Sequence, residues 1–204
     1  PMNLPNSLTF FRISLVPIFV FAFYAPFPWA HAATAVIFAL GALTDWLDGY
    51  LARRLGQTSP FGAFLDPVAD KLLVAVALVL LVQHDPRPWL AVAAAVIIGR
   101  EIVISALREW MAELGKRTKV AVSDMGKFKT TAQMVAITLM LYRAPLAWFP
   151  TYGVGTVLLY VAAFLTLWSM VVYLRSAWPL LRAGLLPGRS ETSVTPSASE
   201  PRGT

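Results

Sequence analysis

The stretch from Asp45 to Asp70, DWLDGYLARRLGQTSPFGAFLDPVAD, decides which fold this chain is expected to adopt. At its centre, Gln57-Thr58-Ser59-Pro60 has the composition of a turn, and long apolar segments lie on both sides. A helix needs about 20 apolar residues to cross a bilayer. The stretch therefore predicts an antiparallel pair of membrane helices with four aspartates near one membrane surface.

Composition extends this prediction to the whole chain. Of its 204 residues, 57% are hydrophobic and 14% are charged, whereas soluble domains are about 45–50% apolar and about 25% charged. The predicted fold class is all-α: a polytopic membrane protein with six transmembrane helices over residues 1–183, followed by a disordered tail over residues 184–204. The six predicted segments are Leu8–Tyr24, His31–Leu55, Pro67–Gln83, Trp89–Leu114, Lys127–Tyr142 and Val154–Trp178.

Charge and residue types limit the location and the function classes. The chain has no cysteine, which excludes disulfides and cysteine-bound metals. Lysine and arginine gather at alternate turns, so both termini are predicted to be cytoplasmic in a cell inner membrane. The net charge of +6 is interpreted as affinity for anionic lipid headgroups, with no nucleic-acid partner expected. Aromatic residues expected to form an interfacial belt on the far side are Trp29, Trp89, Trp148 and Tyr152.

Four of the six aspartates flank the turn. If both flanks are helical, Asp45 and Asp70 each lie about ten residues, or ~15 Å, from the turn, and Asp48 and Asp66 each lie roughly 10 Å from it. The two aspartates on each helix are three or four residues apart, so they share one helix face. The spacing predicts four carboxylates that face one another across the hairpin.

Four facing carboxylates need positive charge. Like charges in contact raise one another's pKa, and an aspartate at mid-bilayer costs roughly 2.5–3.5 kcal/mol on one insertion scale. Arg53, Lys71 and Arg100 do not obviously neutralise all four. A divalent cation does, and all-oxygen ligands suit Mg²⁺ or Mn²⁺, so one or two such ions are expected.

Small residues and an arginine beside the aspartates suggest a phosphate substrate. Gly49 and Gly62 let a ligand approach the backbone, and the Arg53 guanidinium is suited to clamp a phosphate. With a metal, this combination favours a pyrophosphate compound. Structural alternatives stay open: both glycines also suit helix packing, and Asp66 before Pro67 also fits an N-cap at the start of a helix.

The eight positions Asp45, Asp48, Gly49, Ala52, Arg53, Gly62, Asp66 and Asp70 reproduce the spacing D-x2-D-G-x2-A-R-x8-G-x3-D-x3-D. This pattern resembles the signature of the CDP-alcohol phosphatidyltransferase family. Flanking stretches at 8–12, 100–110, 112–116 and 126–133 resemble the bacterial branch of that family that makes phosphatidylglycerol phosphate. The likeness covers about residues 3–180.

The resemblance implies six transmembrane helices, a homodimer and an active site open to the cytoplasmic leaflet. It implies transfer of the phosphatidyl group from CDP-diacylglycerol to sn-glycerol 3-phosphate, which releases CMP. By the family pattern, two divalent ions bind to the four aspartates, and Asp70 is also the expected general base. The residues expected to hold the cytidine diphosphate are Gly49, Ala52, Arg53 and Gly62.

The acceptor carries its own phosphate, so a second basic pocket is expected. The candidates are Arg108, Lys127, Lys129 and Arg12. Lys127 and Lys129 open the fifth segment, where free backbone N–H groups also favour anions. Orientation of the chain in the membrane is an alternative explanation for each lysine.

Two rival functions remain at this point. An enzyme with the same site can use inositol phosphate, serine or choline as its acceptor, because few pocket residues select the alcohol. Buried acids can also form the ion path of a divalent-cation transporter. The aspartates cluster near one membrane face, which disfavours a path through the bilayer.

Overall fold

Six helices form the structure, a computed structural model that describes residues 4–55, 60–113 and 124–185. Apart from an isolated bridge between Leu146 and Phe149, the regular secondary structure in these ranges is helical. The helices are α1 (Leu4–Tyr24), α2 (Ala30–Leu55), α3 (Pro60–His84), α4 (Pro88–Glu113), α5 (Asp124–Tyr142) and α6 (Thr151–Leu185). Each predicted segment coincides with one helix.

The two largest errors in the predicted boundaries both involve proline. The third segment was predicted to start at Pro67, but α3 starts at Pro60, so Asp66 lies inside the helix and is not its N-cap. The sixth was predicted to end at Trp178, but α6 continues through Pro179 to Leu185. Membrane helices tolerate an internal proline because neighbouring groups satisfy the freed carbonyl. The predicted tail beyond residue 185 lies outside the described residues.

Four helices contain stretches long and apolar enough to cross a membrane: Ser7–Tyr24, Ala30–Leu47, Pro88–Met111 and Thr151–Pro179. In α3 the apolar part, Lys71–His84, is shorter. Large apolar side chains face outward, among them Phe21, Ile102 and Phe164. An exterior of this kind is stable in lipid and not in water, so the chain is a membrane protein.

The interior is apolar and closely packed. Gly155 on α6 lies so near α5 that an added Cβ would meet the Ala136 carbonyl oxygen at 2.9 Å and Met140 Cγ at 2.8 Å. Small residues at such contacts let membrane helices pack backbone against backbone. The largest side chains that are fully buried in the shared core are Phe19, Phe38, Leu78, Leu81, Leu90, Ile97, Ile137, Met140, Leu141 and Leu159.

The connections 25–29, 85–87 and 143–150 lie together at one end of the helices, here called the far end. Asp85 accepts hydrogen bonds from Arg87 at 2.6–3.0 Å and from the Tyr152 hydroxyl at the start of α6. The Tyr24 hydroxyl donates to Gln83, which joins the end of α1 to that of α3. Predicted belt residues Trp29, Trp89 and Trp148 are exposed here.

Candidate active site

The signature residues lie on the two helices that meet at the opposite end. We call this the signature end; it is formed by the last turns of α2 and the first turns of α3. Asp45 and Asp48 lie on α2, and Asp66 and Asp70 on α3. Because both stretches are helical, each pair occupies one face of its helix, as the spacing predicted.

Side chains are described for part of this site only. Asp45 is the aspartate of the four whose side chain is described. The other predicted residues whose side chains lie outside the description are Asp48, Gly49, Ala52, Arg53, Gly62, Asp66, Asp70, Arg108 and Lys127. Within the described side chains, no group of three or more His, Cys, Asp or Glu residues is placed to hold a metal.

Asp45 is paired with an arginine from another helix. Arg12 Nη1 on α1 lies 2.8 Å from Asp45 Oδ1. The Arg12 side chain is 1% exposed, whereas Asp45 is 42% exposed. Arg12 was predicted as an acceptor-phosphate residue, and the structure gives it a carboxylate partner inside the protein.

Sequence reasoning missed this pair, although the chain carries a signal for it. Arg12 is the one charged residue within α1, and an ionisable residue in a membrane helix is expected to have a named partner. Arg12 lies eight residues after the start of α1, and Asp45 lies ten residues before the end of α2. The two residues are therefore at similar depth, ~12 and ~15 Å from the same end.

Four helices meet around the pair. A small cavity of about 10 Å³ adjoins Arg12 and Asp45, which is near the lower limit for holding one water molecule. Apolar and small residues of α2, α3 and α5 line the rest of it. The other lining residues are Phe38, Gly41, Ala42, Leu73, Val74 and Met134.

Gly41 makes this enclosure possible. It lies one turn before Asp45 on α2, and a Cβ at this position would come within 2.3 Å of Leu73 Cδ2 on α3. The missing side chain lets Leu73 close over the helix surface beside Arg12. The pair therefore has an apolar surrounding, in which electrostatic attraction is stronger than in water.

Lys129, another predicted acceptor-phosphate residue, is also buried. It lies near the start of α5, at the signature end, and its side chain is 9% exposed. Its Nζ donates to Ser169 Oγ on α6 at 2.9 Å. A buried lysine ammonium is rare in a membrane helix, so the position is a functional candidate.

Arg100 and Glu101 form a second ion pair, on α4. Arg100 Nη2 lies 2.5 Å from Glu101 Oε1, and the side chains are 10% and 28% exposed. Glu101 thus has an arginine partner on its own helix. The contact also removes Arg100 from the cations available to the aspartates.

The sequence was compared with protein-family models and with curated proteins, and both comparisons identify the same family. The family model for CDP-alcohol phosphatidyltransferase matches residues 2–168. The chain belongs to the CDP-alcohol phosphatidyltransferase family. The match includes the complete signature as well as Arg12 and Lys129, and it extends over α1 to α5 and half of α6.

Curated relatives cover nearly the whole chain. A Salmonella paratyphi A protein is 58% identical over 175 residues, which is 86% of this chain and 94% of the relative. A Pseudomonas fluorescens protein is 55% identical over 194 residues, or 95% and 97% of the two chains. A Shigella flexneri protein is 57% identical over 184 residues, or 90% and 97%. All three are named CDP-diacylglycerol–glycerol-3-phosphate 3-phosphatidyltransferase. The chain is therefore a phosphotransferase of this family.

Proposed function

We propose that this enzyme transfers the phosphatidyl group of CDP-diacylglycerol to sn-glycerol 3-phosphate, with phosphatidylglycerol phosphate and CMP as products. The observation that carries the proposal is the complete eight-residue signature on the adjoining ends of α2 and α3. Relatives more than half identical over nearly their full length bear the name of this reaction. The reaction is a step of phospholipid biosynthesis.

In this proposal Asp45, Asp48, Asp66 and Asp70 hold divalent ions, Mg²⁺ or Mn²⁺, with two ions expected. The donor chemistry fits, because carboxylate oxygens are the hard ligands that these ions prefer, and Asp45 is accessible while held in place by Arg12. When bound, the ions supply charge stabilisation for the diphosphate and the departing CMP. The residues that hold the cytidine diphosphate are Gly49, Ala52, Arg53 and Gly62.

Two of the protein's own residues then act on the substrates. Asp70 accepts the proton of the attacking hydroxyl group, because an alcohol is a poor nucleophile at neutral pH. Arg53 orients the diphosphate through charge-assisted hydrogen bonds. The acceptor oxygen forms a bond to the phosphorus linked to diacylglycerol, the bond from that phosphorus to the CMP oxygen breaks, and CMP leaves. This direct transfer needs no covalent enzyme intermediate.

The phosphate of glycerol 3-phosphate binds to Arg108, Lys127 and Lys129 in this proposal. Lys129 supports it, because its ammonium is buried between α5 and α6 at the signature end and bonded to Ser169. A buried ammonium that gains a phosphate partner contributes more than an exposed one, because water screens it less. Arg12, the fourth predicted member of this set, has Asp45 as a partner.

We further propose that all six helices span a bacterial inner membrane, that both termini and the signature end are cytoplasmic, and that the enzyme is a homodimer. The catalytic unit comprises residues 1–183, with residues 184–204 as a separate tail. The arrangement of the helices supports this topology, because α2, α4 and α6 end on the side where α1, α3 and α5 begin. CDP-diacylglycerol then reaches the site from the lipid, and glycerol 3-phosphate from the cytoplasm.

The test is CMP release by the purified full-length protein in detergent–lipid micelles. CDP-diacylglycerol is supplied with glycerol 3-phosphate, serine, inositol phosphate or choline, each with and without Mg²⁺. Release of CMP is expected with glycerol 3-phosphate alone, and only with the metal. Activity with serine and none with glycerol 3-phosphate would contradict the acceptor assignment, and Mn²⁺ uptake into proteoliposomes without CMP release would favour transport.

A further inference from the structure

We propose that Arg12 is a positioning residue for Asp45 and not a ligand of the acceptor phosphate. The inference deepens the proposed function, on which it rests. Its starting point is the contact between Arg12 Nη1 and Asp45 Oδ1 at 2.8 Å, made by a guanidinium that is 1% exposed. The guanidinium is thus paired with a carboxylate of the proposed metal site, and its side chain is almost fully enclosed.

The space around Arg12 excludes a phosphate group. The adjoining cavity measures about 10 Å³, which is near the lower limit for one water molecule and too small for a phosphate group. Apolar side chains from three helices line this cavity, including Phe38, Leu73 and Met134. For a glycerol phosphate to reach the guanidinium, the helices around it would have to separate.

The properties of arginine suit an internal counter-ion. Its guanidinium is planar and always charged. Because it is more weakly hydrated than an ammonium, its transfer out of water costs less free energy. Asp45 keeps capacity for a cation while paired, since a carboxylate has two oxygens and about four acceptor directions. Arg12 thus fixes one side of the carboxylate against α1 and leaves 42% of the side chain accessible.

Groups that orient a metal ligand change metal affinity or activity by about 10- to 100-fold when they are removed. Arg12→Gln is therefore expected to weaken Mn²⁺ binding to the substrate-free protein by about 10- to 100-fold, measured by electron paramagnetic resonance of free Mn²⁺. CMP release should fall by a similar factor, with the KM for glycerol 3-phosphate changed less than about threefold. Arg12→Lys, which keeps the charge, should recover part of both losses.

A matched control comes from the far end. Arg87 also binds an aspartate, Asp85, but it is half exposed and distant from the signature. Arg87→Gln should leave Mn²⁺ binding and CMP release unchanged. A thermal unfolding cycle in EDTA adds a readout that needs neither metal nor activity: Arg12→Gln should lower the Tm, and Arg12→Gln with Asp45→Asn should recover part of it, because no unpaired carboxylate remains.

Two results would overturn the proposal. One is a tenfold or larger rise in the KM for glycerol 3-phosphate with unchanged Mn²⁺ affinity, which would return Arg12 to the acceptor pocket. The other is additive Tm changes in the cycle, which would show that the two residues do not interact. If no acceptor supported CMP release, the proposed reaction would fail, and the Mn²⁺ titration and the Tm cycle would still decide the role of Arg12.

Discussion

Each end of the helix bundle has an aspartate paired with an arginine, but the two pairs differ in where the arginine comes from. At the far end, Asp85 is bound by Arg87, two residues along the same loop, and by Tyr152. At the signature end, Asp45 is bound by Arg12 from a different helix, in the protein interior. The loop pair keeps its arginine in water, whereas the pair between helices takes the Arg12 guanidinium out of water and leaves Asp45 42% exposed.

This difference separates a structural carboxylate from a functional one. The contacts of Asp85 connect the α3–α4 loop to the start of α6 and serve the packing of three helices. Asp45 belongs to a set of four acids within 26 residues, a density that packing does not require. Variants at the far end are therefore expected to change stability, and variants at the signature end to change catalysis.

The largest expected effect is at Asp70. Asp70→Asn removes the proposed base and should lower CMP release by about 100- to 10,000-fold, while the protein still folds. The matched variant Asp85→Asn should keep its activity within about threefold, because general-base catalysis involves no far-end residue. Near-normal turnover by Asp70→Asn would exclude Asp70 as the base.

The next effect concerns the acceptor pocket. Lys127→Ala with Lys129→Ala should raise the KM for glycerol 3-phosphate by about 10- to 100-fold, since each charged hydrogen bond contributes about 1.5–3 kcal/mol. The KM for CDP-diacylglycerol should change much less. Arg182→Gln, at an exposed arginine that stacks on Trp178 at 5.7 Å, is the control for loss of basic charge. Equal rises in both KM values would indicate a general electrostatic role.

A smaller effect, on stability alone, is expected in the first turns of α6. Gly155→Ala places a methyl group 2.9 Å from a backbone oxygen of α5, and overpacking of this kind costs about 1–3 kcal/mol. The Tm in detergent should fall by several degrees. Gly153→Ala, with nothing within 4 Å of the new Cβ, should leave the Tm unchanged. A Tm for Gly155→Ala equal to that of wild type would mean that α5 and α6 can separate freely.

The smallest effect is a pH dependence at the far end. Arg87 and Tyr152 hold the pKa of Asp85 at about 2, below its usual range. A lowered folded-state pKa gives stability that is present above about pH 4 and is lost as the pH falls toward 2. The small Tm difference between wild type and Arg87→Gln should therefore shrink over this interval. A difference that grew on acidification would contradict the assigned ion pair.

Sequence patterns were sufficient for the helices, whereas the facing of the four carboxylates stays a prediction, because three of those side chains lie outside the description. The patterns failed where proline follows a polar residue, because Asp66-Pro67 has the composition of a helix start and yet lies within α3. They also missed the pairing of Arg12 with Asp45. Hydrophobic periodicity gives the depth of a residue and its face, but which helices become neighbours depends on packing, for example the approach of Leu73 to Gly41.

The length of α6 has a practical consequence. Its 35 residues extend ~52 Å, whereas the hydrocarbon layer is about 30 Å thick. In the proposed topology, about 20 Å of the helix therefore extends beyond the hydrocarbon layer on the side of the aspartates, with Trp178 and Arg182 in its final third. In that topology, a fluorescent or affinity tag joined after Leu185 would be carried beyond the hydrocarbon layer by a helical extension on the side of the aspartates.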